Sequence, residues 1–117
     1  TRLAERSQRA AALITALREE GLWPPLVISP VLVECLRGDA AADAPVNRLL
    51  STCQVVGEIP EALARGAAYL RTRARAGSAV DALVVASANP GGVVLTSDPR
   101  DLGALADGAT DVTVERI

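Results

Sequence analysis

The sequence predicts an α/β domain in which a parallel sheet lies between two layers of helices. Three observations predict it. Short apolar runs alternate with helix-length segments, and strands that pair in parallel need crossovers of that length. The apolar runs are nearly continuous rather than alternating with polar residues, as in strands covered on both faces. Half of the 117 residues are hydrophobic, enough to fill one core without disulfide or metal staples. The expected organisation is therefore a single domain over residues 1–117, with no internal repeat, low-complexity tract or linker.

The elements follow in chain order. "TRLAERSQRAAALITALREEG" places apolar residues at helical spacing between a capping Thr1 and a terminating Gly21. After the Pro24-Pro25 stop, "LVIS" at 26–29 is a short buried strand. Ser29 then caps a helix with Pro30 in its first position, running through "VLVECLRG" to Gly38. Residues 39–45 read as a loop, and Asp43 or Ala44 with Pro45 opens a helix over "VNRLLSTC". "QVVGEI" is the next strand, and "PEALARGAAYLRTRARAG" is helical up to Gly77. "AVDALVVASA" is helical again, "GVVLTS" is a strand, "DPRDLGALA" a short helix and "DVTVERI" a last strand. The alternation opens with a helix, so the sheet lacks its usual first strand, which is expected upstream of Thr1.

Composition removes several classes of chemistry. All 12 basic residues are arginine, and the chain has no Lys, His or Met. This excludes the phosphate-loop lysine, zinc-binding and general-base histidines, and Ser-His or Cys-His pairs. Hydrolysis by this chain must use carboxylates, a metal ion, or both. With no Phe, one Trp and one Tyr, the core is expected to be aliphatic and base-stacking platforms are not expected. The net charge of −2 gives no overall attraction to nucleic acid, so such a partner needs a local arginine patch or bound cations. Cys35 and Cys53 lack CxxC spacing and read as half-buried free thiols of a reducing compartment. No stretch reaches the roughly 18 apolar residues of a membrane span, and the start does not read as a signal peptide. A soluble, cytoplasmic protein is expected.

Against this apolar background the aspartates in "SAVDALVVASANPGGVVLTSDPRDL" stand out, since a bare buried carboxylate is costly. In parallel α/β sheets the functional crevice lies beyond the carboxyl ends of the strands, where Asp98 sits. Each aspartate also has a plain structural role. Asp98-Pro99-Arg100-Asp101 has the form of a helix start, with Asp98 as N-cap and Asp101 at N3, and Ser78-Ala79-Val80-Asp81 is a capping-box variant. Glu34 lies five residues past Ser29, too deep for capping, and its alternative is to face water beside Arg37. Together, Glu34, Asp81 and Asp98 put carboxylates near the starts of three helices, able to converge on one crevice and hold a hard divalent cation, Mg²⁺ or Mn²⁺. Arg37 and Arg100, adjacent to this acidic set, are candidates for holding phosphate. Arg65, Arg71, Arg73 and Arg75 crowd one helix but point around it and read as a solvated surface.

"VISPVLVECLRGD", "SAVDALVVASA" and "VVLTSDPRDLGAL", in this order and together with the "EALARGAAYLR" helix, resemble the PIN-domain ribonucleases, in particular the VapC-type toxins of bacterial toxin-antitoxin pairs. The resemblance covers essentially the whole chain. It implies a PIN-like parallel sheet between helices, a site of clustered acids binding Mg²⁺ or Mn²⁺, cleavage of single-stranded RNA, a cognate antitoxin protein as partner, and a homodimer. Carried over residue by residue, it puts the helix glutamate on Glu34, the helix-start aspartate on Asp81 and the post-strand acids on Asp98 and Asp101. Thr96 and Ser97 match the small hydroxyl residues before them. The family's opening strand, ending in "D-x-S/T", has no counterpart before the first helix, and its missing aspartate would weaken metal binding.

Two functions follow. One is a metal-dependent endoribonuclease in which Glu34, Asp81 and Asp98 hold the metal, Asp101 adds a fourth group, and Arg37, Thr96, Ser97 and Arg100 contact the RNA. The other is a catalytically incomplete PIN-like module that dimerises and grips an antitoxin-like partner. A phosphoacceptor domain is excluded because its site uses a lysine.

Overall fold

The computed structural model describes residue 21 and residues 24–117. The helix expected over 1–21 therefore lies outside the described residues, Gly21 excepted. The chain divides into two compact units, one reaching Val56 and taking in Ile117, the other covering Gly57–Arg116. Among the described residues, no helix is long and apolar enough to cross a membrane.

The first unit contains β1 (Leu26–Ile28), α1 (Val31–Cys35), α2 (Ala40–Leu50) and β2 (Gln54–Val56). β1 and β2 pair in parallel, with Leu26 opposite Gln54 and Ile28 opposite Val56. Gln54 N–H to the Pro25 carbonyl and Ser29 N–H to the Val56 carbonyl, each 2.9 Å, extend the ladder at its two ends. The two helices form the crossover that a parallel pair requires.

The crossover differs from the sequence reading in three places, and one side chain accounts for most of the difference. α1 begins at Val31, with Pro30 rather than Ser29 in the N-cap position. It ends at Cys35 instead of continuing to Gly38. The amides of Arg37 and Gly38, which a longer helix would direct at carbonyls four residues back, donate instead to the two carboxylate oxygens of Asp43 at 2.9 Å each. Gly38, at φ +81°, makes the bend. α2 then starts at Ala40, five residues before Pro45, because Asp39 caps it by accepting the Ala41 N–H. Pro45 lies inside α2 rather than opening it, so this helix does without one backbone bond.

The second unit contains α3 (Glu61–Ala74), α4 (Ala79–Ala88), β3 (Val93–Thr96), α5 (Pro99–Ala106) and β4 (Thr113–Arg116). Its core is aliphatic, as the composition predicts: Ala67 and Leu70 of α3, Ala82, Val85 and Ala86 of α4, Val94 of β3, and Leu102 and Leu105 of α5. On each helix these residues recur at three- or four-residue intervals, so one stripe of each faces inward. β3 and β4 pair in parallel from Val93 opposite Thr113 to Thr96 opposite Arg116. α3 stops at Ala74, before the expected Gly77, because Arg75 adopts a left-handed conformation. Gly77 also has positive φ, and a Cβ there would lie 2.7 Å from Cδ1 of Leu105. Glycine is thus required by both backbone and packing.

The α/β class and the parallel pairing are as expected. The pairing among the described residues consists of two two-stranded ladders, one in each unit.

Candidate functional site

Three of the four expected acids lie in the second unit, each at the start of a helix. Asp81 is the third residue of α4 and half-buried. Its Oδ2 accepts the Ser78 N–H, while Ser78 Oγ accepts the Asp81 N–H, both at 3.1 Å. The capping box read from the sequence is therefore complete. Ser78→Ala is expected to lower stability by about 1 kcal/mol in urea denaturation, with Ser78→Thr restoring most of it.

Asp98 lies two residues past the end of β3 and caps α5, with Pro99 in the first helical position. Its side-chain bond to the Arg100 N–H is 3.5 Å long, at the weak end of the range. The backbone of Asp98 is held more firmly than its carboxylate: Thr96 Oγ1 accepts the Asp98 N–H at 3.0 Å and donates to the Asp98 carbonyl at 3.2 Å. Thr96 thus acts here as a turn-former that aims Asp98. Ser97, Asp98, Arg100 and Asp101 are all exposed. The macrodipoles of α4 and α5 favour anionic Asp81, Asp98 and Asp101 at these positions. Val94 of β3 packs in the same core as Ala82, Val85 and Ala86 of α4.

Glu34 and Arg37 belong to the first unit. Glu34 was expected beyond the reach of capping. It instead lies in the first turn of the five-residue α1 and is exposed, because the helix starts late and ends early. Arg37 is also exposed, its backbone tied to Asp43. Cys35, expected to be half-buried, is exposed on the same short helix, whereas Cys53 is half-buried and its Sγ–H points to the Leu49 carbonyl.

Carboxylate oxygens are the right donors for a hard cation. Among the described residues, however, no three acidic or thiol groups form a set that could hold a metal ion. Comparison with protein-family models, with curated proteins and with solved structures found no match.

The residue that sequence reasoning undervalued is Asp43. It is 5% exposed and the one buried charged residue among those described, and it was read as lying in a loop or at a helix start. The available signal was an aspartate four residues after a better N-cap, Asp39, inside the alanine-rich helix that Asp39 starts.

Proposed function

We propose that this protein is a Mg²⁺- or Mn²⁺-dependent endoribonuclease that hydrolyses phosphodiester bonds of single-stranded RNA, acting in the cytoplasm as the toxin of a toxin-antitoxin pair. The observation that carries the reading is the position of Asp98. It stands two residues beyond the carboxyl end of a parallel strand, its backbone fixed by Thr96 and its exposed carboxylate only loosely engaged, in the region where α/β folds build their sites. Asp101 follows within the same first helical turn, also exposed. The ordered resemblance to PIN-domain toxins supports the same assignment.

On this reading Asp81, Asp98 and Asp101, which do not form a ready metal-holding set among the described residues, would be the second unit's donors to the cation, and Glu34 is the further acid that the resemblance assigns to it. The cation when bound would supply positive charge against the negative charge that develops on the phosphodiester. Arg37 and Arg100 would hold RNA phosphates, and Thr96 and Ser97 would contact the strand beside Asp98. A cognate antitoxin and a second copy of the chain are the proposed protein partners. The alternative, a PIN-like interaction module without catalysis, is favoured by one specific observation: Asp81 already spends a carboxylate oxygen on its own helix cap.

Asp81→Asn separates the two, because asparagine keeps the size and much of the capping ability but loses the charge. If Asp81 only caps, the substitution costs about 1 kcal/mol or less with and without Mn²⁺. If it also holds the cation, the variant loses most of the Mn²⁺-dependent rise in melting temperature and the RNA cleavage, on top of the same small capping cost in EDTA. The second result is expected. Identical metal responses in the two proteins would remove Asp81 from the site.

A further inference from the structure

We infer that one side of α3 binds single-stranded RNA, with Tyr69 stacking on a base and Arg73 and Arg65 holding the flanking phosphates; the inference rests on RNA being the substrate. The chain carries a net charge of −2, yet α3 holds three arginines against the single Glu61, and Arg75 follows at its end, all exposed. The basic charge of the second unit is thus concentrated on one helix.

Arg65, Tyr69 and Arg73 recur at four-residue steps and so share a side of α3. Tyr69 is 59% exposed. The Arg73 guanidinium lies 5.5 Å from its ring centroid, and Arg73 Nη1 donates to the Tyr69 hydroxyl at 3.2 Å. A solvent-facing aromatic ring with a cation over one face leaves its other face to a base and offers the neighbouring phosphate a counter-charge. Composition alone argued against stacking platforms because aromatic residues are so few. The structure leaves Tyr69 at the surface.

The ring also borders a groove of about 370 Å³ lined by residues that include Leu63, Gly66, Leu70, Asn89 and Thr110. Leu63 and Leu70 supply apolar surface, and nothing crowds the position a Cβ would take at Gly66, so the groove stays open along α3. Asn89 Oδ1 accepts the Thr110 N–H at 2.9 Å, which fixes the opposite wall. Arg73 Nε lies 3.8 Å from where a Cβ would sit on Gly108, another lining residue, so its guanidinium borders the groove as well as the ring.

The other charged groups rank the contributions. Arg71 is tied to the Gly77 carbonyl at 3.2 Å, and Arg65 is paired with Glu61 at 3.0 Å. Tyr69 and Arg73 therefore carry most of the binding. An acidic peptide would satisfy the charge but would leave the ring without a stacking partner, so the juxtaposition favours RNA.

The test is fluorescence anisotropy of a short fluorescein-labelled oligouridylate with the full chain in EDTA, where cleavage is silent. Wild type is expected to bind with an affinity that falls as salt rises. Tyr69→Ala should weaken binding about tenfold, whereas Tyr69→Phe should stay within about twofold because the π-face is kept. Arg73→Gln should weaken binding and flatten the salt dependence, and Arg48→Gln, at an exposed arginine of the first unit, should change neither. Melting curves confirm that the variants are folded. Absence of wild-type binding, unchanged affinity in Tyr69→Ala, or displacement of the RNA by polyglutamate at equal charge concentration would each overturn the inference. The nuclease reading is scored separately. Mn²⁺-dependent cleavage by wild type with no effect of Tyr69→Ala on binding leaves that reading standing alone, and Tyr69-dependent binding without cleavage leaves this surface standing alone.

Discussion

Replacing Leu105 with alanine is expected to lower the unfolding free energy by about 3 kcal/mol, within the range of buried leucine truncations. Leu105 has no exposed surface and shares the core with Leu70, Val85 and Leu102. Its Cδ1 lies where a Cβ on Gly77 would press, 2.7 Å away, so the side chain also sets how closely the turn after α3 approaches α5. Truncation should leave a cavity against that turn. Gly77→Ala on its own is destabilising twice over, through positive φ and through the collision with Leu105. The double variant should cost less than the sum of the two by about 1 kcal/mol, since the alanine methyl enters space that Leu105 vacates. Denaturant titration of the four proteins provides the cycle. A loss below about 1 kcal/mol for Leu105→Ala would mean that α5 does not carry the core of this unit.

A similar loss, also about 3 kcal/mol, is expected for Asp43→Ala, for a different reason. The Asp43 carboxylate accepts two amides at 2.9 Å, from Arg37 and Gly38, while itself 5% exposed. Each bond to an ionised acceptor contributes about 1.5–3 kcal/mol, and truncation strands two donors at a bend. Asp43→Asn should recover part of the loss, because its amide oxygen accepts one N–H while its NH₂ opposes the other donor. Amide hydrogen exchange gives the residue-level readout: Arg37 and Gly38 should lose protection in the alanine variant, and the β2 amide at Val56 should be affected less. Unchanged protection at Arg37 and Gly38 would show that the bend holds without the carboxylate.

The second unit was largely legible in the sequence because its signals are local. Ser78 with Asp81, and Asp98 with Pro99, are start signals whose partners lie within three residues, and both helices form where those signals place them. The aliphatic core follows from the spacing of alanine, leucine and valine along three helices. Strand ends were read too long, as in "QVVGEI", which pairs only over Gln54–Val56. A strand ends where its ladder ends, and an apolar run does not state how far its partner extends.

The first unit was misread where a partner beyond the span of helix-start signals decides. Ser29-Pro30 and Ala44-Pro45 are good helix starts by local rules, yet α2 begins at Ala40, capped by Asp39, and contains Pro45. The backbone amides at 37 and 38 had to go either to a longer α1 or to a carboxylate five or six residues away, and the carboxylate took them.

By itself the sequence determined the α/β class, the parallel crossovers, the helix caps of the second unit and a residue set without lysine or histidine. Those follow from periodicity, capping chemistry and the residue types present, all of which act over a few residues or over the whole composition. Only the tertiary structure decided that Glu34 faces solvent from a single-turn helix, that Asp43 is the buried charge, and that Tyr69 stands exposed beside Arg73 at the mouth of a groove. Burial and hydrogen-bond choice at those positions depend on which other chain segment arrives there, and no local pattern specifies that.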